Sequence, residues 1–214
     1  MSRFESPLRK FFRTIVLLCV VWAVAPLHAS TVLQMSFAEV VENAELVFEG
    51  RVLSVESRMV PDGMIHTFVV FAVIDILKGD YALDEIELSF LGGQVGTRRL
   101  QVTDMELPEV GETGFYFVES LMSAQVNPLV GWAQGHYLIE LTAGGGSVVT
   151  TADHEPILAL DPASPVTAAM SNEFSKGVAK GVVVQGAGIA NRLSRGLSAE
   201  EFKDHVRSTV ASQQ

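Results

Sequence analysis

The sequence has one cysteine, Cys19, and it lies in an apolar run near the N-terminus. No disulfide framework can be built from it. There is no H-E-x-x-H pair and no Gly-x-Ser-x-Gly elbow, so the commonest sequence signs of a zinc peptidase and of an α/β hydrolase are missing. Basic residues are few, with 15 Lys and Arg against 25 Asp and Glu and a formal charge of −10. An excess of that sign repels phosphates, which argues against nucleic acid and against an anionic membrane surface as partner. Its plainest effect is to keep an exported protein soluble.

What the N-terminus does have is a basic start, Arg3, Arg9, Lys10 and Arg13, followed by "TIVLLCVVWAVA" at 14–25. This pattern reads as a secretory signal peptide over residues 1–29, cut after Ala29 in "PLHAS". "AVA" at 23–25 is a second possible cut, although Pro26 follows it. The apolar run is shorter than the roughly 20 residues of a comfortable membrane span. A retained anchor is one alternative, and a lipid on Cys19 is another, with Leu18 standing where a small residue is expected. Cleavage at Ala29 leaves a periplasmic or secreted chain without cysteine, more acidic still, held together by its core alone.

"TFVVFAVIDILKGD" at 67–80 alternates like a strand, yet neither face is polar: Val69, Phe71, Val73 and Leu77 point one way, and Phe68, Val70, Ile74 and Ile76 the other. With "LVFEGRVLSVESRMV" (46–60) and the turn "PDG" (61–63) it forms a long hairpin. "DEIELSFLGG" (84–93) alternates with one wet face, and 98–104, 114–120, 135–141 and 146–152 are further short strands. Ser36 with Glu39 marks the start of a short helix. Ser198 with Glu201 marks a last amphipathic helix, with Phe202, Val206 and Val210 on one stripe. Strands with few helices predict a mainly β fold, a small oligonucleotide/oligosaccharide-binding-type β-barrel over 30–160. Its inside would cover one face of the long strand and a helix the other. Residues 161–197 read as a Gly/Ala/Ser-rich loop or linker, and 198–214 as the C-terminal helix.

The order of "VFEGRVLSV", then a long strand closing in Lys78-Gly79, then "GETGFYFVES" resembles the netrin-like modules, which include the tissue inhibitors of metalloproteinases. The resemblance covers roughly residues 30–141. It implies a five-stranded barrel with flanking helices that binds another exported protein, conceivably a zinc metalloprotease, without catalysis of its own. In those inhibitors the N-terminal cysteine sets its amine and carbonyl on the zinc. Here Ser30 would stand in that place and Thr31 would enter a specificity pocket, without the family's disulfides.

No residue is assigned a catalytic role, and no cofactor or metal is expected. His28 goes with the signal, and among His66, His136, His154 and His205 no two have metal-ligand spacing. "GAGIAN" (186–191) lacks the strand and helix that would aim it at a pyrophosphate, and reads as loop or packing glycines. "LGGQVGTRR" (91–99) is either a mobile hairpin tip or a grip for an acidic partner, with Gly92 and Gly93 shaping the turn and Arg98 and Arg99 holding a carboxylate. "NPLVGWAQGHY" (127–137) either packs Trp132 over the barrel end or offers it to a partner. The candidate partner-binding set is therefore Ser30, Thr31, Gly92, Gly93, Arg98, Arg99 and Trp132. Two other classes stay open: a hydrolase whose site assembles from distant residues, signalled by a deep pocket of convergent titratable groups, and a carbohydrate- or small-ligand-binding barrel with a groove lined by Trp132, Tyr116 or Tyr137.

Overall fold

The computed structural model describes residues 32–142, 144–161, 177–184 and 195–213. The expected signal segment 1–29, Ser30, Thr31 and "GAGIAN" lie outside the described residues.

Helix α1 (Phe37–Asn43) starts as its sequence demands. The Ser36 hydroxyl accepts the Glu39 N–H at 3.2 Å and the Glu39 carboxylate accepts the Ser36 N–H at 2.7 Å. At its other end the Lys78 ammonium donates to the Val41 and Glu42 carbonyls at 2.7 and 2.8 Å. A cation there satisfies orphan carbonyls and complements the helix dipole, which gives Lys78 of the Lys-Gly pair a structural task. Burial holds its ammonium below the usual lysine range, against the upward pull of Glu42.

Strands β1 (Leu46–Met59), β2 (Ile65–Lys78), β3 (Glu85–Leu91), β6 (Thr113–Val118), β7 (His136–Leu141) and β8 (Ser147–Thr151) make one antiparallel sheet in the order β3-β2-β1-β6-β7-β8. β4 (Gly93–Val95) pairs with β5 (Arg98–Leu100), and β9 (Ile157–Leu160) with β10 (Val182–Val184). β10 thus lies within the segment read as linker, and the strand expected at 98–104 stops at Leu100.

The fold is mainly β with a helix near each end, but the sheet is not closed into a barrel. The two outer strands, β3 and β8, do not pair with each other, because other segments meet their outer edges. On β8, itself paired with β7 along Tyr137–Leu141, the Val149 N–H donates to the Leu197 carbonyl at 2.8 Å. At the end of β3 the Leu91 N–H donates to the Val126 carbonyl at 2.8 Å. The loop that supplies Val126 also brings Leu121 and Leu129 over the apolar surface.

Two cores, one on each face, answer the question posed by the doubly apolar strand. On one face Val47, Leu77, Phe115, Phe117 and Tyr137 pack with Phe37 and Val40 of α1 and with Phe202 and Val206 of helix α2 (Ala199–Ser212). On the other, Phe48, Val52, Val69, Phe71, Leu88, Phe90 and Tyr116 pack against one another where the sheet curls. Register shifts between Val47 and Phe48, between Glu49 and Gly50, and between Val52 and Ser54 change the phase of the hairpin. Leu77 accordingly joins the helix-covered core while Val69 and Phe71 join the other. At mid-strand the outer face of β2 is not under a helix. Phe68 there is half-buried beneath the Arg58 guanidinium, 3.9 Å from the ring centre, and Glu87 holds that guanidinium at 2.6 Å.

Helix α2 docks through Phe202, stacked on Phe115 with centroids 4.7 Å apart. Beside it Lys203 reaches Glu49 at 2.7 Å, Glu200 at 2.9 Å and Asp75 at 3.4 Å, and Arg207 reaches Asp75 at 2.8 Å. The Lys203 and Glu49 side chains are only 10% and 12% exposed. Burial pulls the Lys203 ammonium down, but Glu49 and Glu200 outweigh it, and the group stays charged well above its ordinary range. Among the described residues no helix is long and apolar enough to cross a membrane. Lys203→Ala, which strands Glu49 without a cation, is expected to cost about 3 kcal/mol in urea unfolding. A loss within error of zero would show that α2 docks by its apolar stripe alone.

Candidate functional site

After β3 the chain turns back at Gly92–Gly93 and lays β4 on the inner, curled face of the β1–β2 hairpin. The Gly92 N–H donates to the Ile65 carbonyl at 2.7 Å, and the Thr67 hydroxyl donates to the Gly92 carbonyl at 2.8 Å. Gly93 has φ +123°, and a Cβ there would collide with the hydroxyls of Ser57 and Thr67, which lie 2.9 Å from each other. This glycine pair is therefore an anchor for the loop, and the expected free hairpin tip is confined to the turn beyond it.

The fold-back creates a groove of about 510 Å³ between β1, the β4–β5 hairpin and the irregular segment 101–112. Val55, Leu91, Leu100, Val102, Met105 and Leu107 supply its apolar walls. Arg99 stands in its lining and Glu109 closes the side formed by the irregular segment. Arg98 lies just outside, its guanidinium 3.9 Å from the Met59 sulfur. Both arginines are exposed, and among the described residues neither has a carboxylate partner.

Trp132 does not line this groove. It opens a single 3-10 turn, Trp132–Gly135, beside β6 and β7, and is itself in the left-handed region at φ +59°. The turn has a definite task through Gln134, which is fully buried. Its carbonyl accepts the Met35 N–H at 2.8 Å and its amide donates to the Leu33 carbonyl at 2.9 Å. On the far side the Lys180 N–H donates to the Met35 carbonyl at 2.7 Å and the Phe37 N–H to the Lys180 carbonyl at 2.9 Å. The chain just after the expected mature start is thus clamped without a disulfide. Of the sequence candidates, the structure gathers Gly92, Gly93 and Arg99 at the groove with Arg98 at its margin, and places Trp132 by the N-terminal clamp.

A second, wider cleft of about 990 Å³ lies between Arg51 of β1, segment 106–113, strand β7 and the turn 152–154 after β8. Two carboxylate–imidazole pairs face it. Glu112 accepts from His136 Nε2 at 2.7 Å and from the Tyr116 hydroxyl at 2.7 Å, and the His136 ring stacks on Tyr116. Glu140 meets His154 Nδ1 at 2.7 Å and accepts the Thr150 hydroxyl at 3.2 Å. Burial pushes the Glu112 carboxyl up, but the hydrogen bond and charge of His136, with the Tyr116 bond, hold it below its usual value. Burial, with Glu112 beside it, drives the Tyr116 hydroxyl far above the tyrosine range. The Glu140 bond raises His154 despite some desolvation. These pairs can hold protons, and the described cleft lining offers Thr113 and carboxylates, but no serine or cysteine, as nucleophiles. Among the described residues no group of three His, Cys, Asp or Glu side chains is placed to hold a metal ion.

Sequence reasoning missed this second cleft. Tyr116 and His136 are direct cross-strand partners, and Glu112, the residue just before β6, bonds to both. Only the β6–β7 register joins them. No protein-family model, curated protein or solved structure matches the chain.

Gly93→Ala is expected to lose about 2 kcal/mol in urea unfolding, from left-handed strain and the collision with Ser57 and Thr67. Near-wild-type stability would mean that the fold-back is loosely held. Because the folded Glu112 carboxyl lies below its unfolded value near 4.5, its stabilising contribution is complete above that pH and lost as pH falls through the lowered value. Melting curves followed downward from pH 6 should therefore fall less steeply for Glu112→Gln than for the wild type. An identical acid slope would remove the His136–Glu112 pair from the account.

Proposed function

We propose that this chain is an exported, periplasmic or secreted, non-enzymatic module that binds another exported or envelope protein. The observation that carries the reading is the open apolar groove beside Gly92, Gly93 and Arg99, in a protein whose charge otherwise discourages anionic partners. An apolar concavity with a few polar groups at its rim is the usual form of a recognition site. The distant resemblance to the netrin-like modules belongs to the same proposal. A curled antiparallel sheet with a helix at each end supports it, and the open sheet and the missing cysteines weigh against it. A zinc metalloprotease is one candidate partner, because the clamp of Gln134 and Lys180 on residues 33–37 holds the chain near the expected N-terminus at Ser30.

The rival reading, a hydrolase, draws on the Glu112–His136 and Glu140–His154 pairs, which meet the condition of convergent titratable groups in a cleft. The described lining of that cleft holds no serine or cysteine, which leaves Thr113, a carboxylate such as Glu109 or Asp153, or water as the attacking group. A photo-crosslinking residue in place of Gln101, which is exposed and lines the groove but not the second cleft, tests the two together in envelope extract and culture fluid of the producing cell. The binding reading expects a discrete crosslinked protein. Inhibition of an exported zinc metalloprotease by the chain starting at Ser30, lost when one alanine is added before it, would name the partner class. No crosslinked product, together with ester or glycoside turnover abolished by Glu112→Gln, would transfer the function to the second cleft.

A further inference from the structure

The groove carries more information than its apolar character. The chain is acidic, with a formal charge of −10, so an acidic segment approaching it is repelled over most of the surface. Arg98 and Arg99 form an exposed exception, adjacent in sequence and without carboxylate partners among the described residues. A guanidinium with no internal partner keeps its bidentate donor fork for an external carboxylate. Glu109, also in the groove lining, repels a second carboxylate beside it. This gives the groove a direction.

The backbone adds a third element. β5 pairs with β4 by Gly93↔Leu100, Gln94↔Arg99 and Val95↔Arg98, closed by a two-residue turn with Gly96 at φ +59°. In such a hairpin the closing pair is hydrogen-bonded and bonding alternates from there, so the N–H and C=O of Arg99 face away from β4. β5 has no other strand beside it among the described residues. Its outer edge therefore offers one donor and one acceptor to an added strand, next to the apolar walls of Leu100 and Val102.

We infer that the groove takes an extended acidic segment of the partner, laid along the outer edge of β5, with an apolar side chain between Val55, Val102 and Leu107 and a neighbouring carboxylate on Arg99. The inference rests on the binding reading above and gives it a ligand class: an apolar residue flanked by Asp or Glu in an unfolded or edge-strand segment. Affinity comes from the apolar side chain and the backbone pairing, and selectivity from the guanidiniums.

The test uses the chain as exported and three fluorescent synthetic peptides of the same length. One alternates leucine with aspartate, one leucine with lysine and one leucine with glutamine. The acidic peptide is expected to bind, to weaken as salt is raised, and to bind about tenfold less well to Arg99→Glu, with a smaller loss for Arg98→Glu. Near-ultraviolet circular dichroism checks that both variants, changed at exposed positions, keep the wild-type packing. Equal binding of the lysine or glutamine peptide, or unchanged acidic binding by Arg99→Glu, overturns the inference. A partner that crosslinks through position 101 but is not displaced by the acidic peptide also overturns it, while leaving the binding reading intact. The absence of any crosslinked partner removes the binding reading itself.

Discussion

The change of phase within the β1–β2 hairpin is the constraint on which the rest of this structure depends. A regular pair of strands with apolar residues on both faces would need a complete layer on each side. The register shifts from Val47 to Ser54 instead divide the hairpin lengthwise. Near its base Val47 and Leu77 turn toward α1 and α2, and further out Val52, Val69 and Phe71 turn into the curl of the sheet. Glu49 and Asp75 are cross-strand partners at this point, and both meet Lys203. The C-terminal helix is therefore located by a charge cluster set where the hairpin changes phase, with Phe202 supplying the apolar contact beside it. A buried ammonium between carboxylates is tolerated only where its partners are fixed, and the irregular hairpin fixes them.

The same curl makes the two clefts. Because β3 and β8 do not pair, the inner surface is covered by loops instead of closing strands. Segment 101–112 crosses it and contributes Leu107, Glu109 and Val110 to both clefts. On one side this segment faces apolar residues and a loose arginine, and on the other two imidazoles already paired with carboxylates. The difference in chemistry separates a surface suited to docking a chain from one suited to holding protons. Internal pairing occupies both imidazoles of the second cleft, whose other charged lining residues, Arg51, Glu106, Glu109 and Asp153, are mostly acidic. The groove beside Arg99 has polar groups with no internal use, and the proposed binding reading rests on this asymmetry.

Local signals were legible wherever physics acts over a few residues. Both capping boxes, at Ser36 and Ser198, start helices as read, and the alternation of 84–91 places Ile86, Leu88 and Phe90 inward. The long hairpin was legible because its two runs flank a turn signal. What could not be read was which strand ends beside which. The closed barrel was a reasonable way to cover two apolar faces, but closure depends on β3 meeting β8, and nothing within either strand shows that Val126 and Leu197 bond to their outer edges instead. The short strands β4, β9 and β10 were missed because runs of three or four residues have too little periodicity to stand out.

By itself the sequence determined the mainly β character, the two terminal helices and the acidic composition, since each follows from local pattern or from residue counts. Only the tertiary structure decided that the sheet stays open, that Gly93 is an anchor, that Trp132 serves the turn which clamps the N-terminal segment, and that His136 meets Glu112. These depend on register and on which edges pair, relations between residues far apart in the chain. Such relations are set by competition among strands for hydrogen-bonding edges and apolar cover, and no short stretch of residues carries the outcome of that competition.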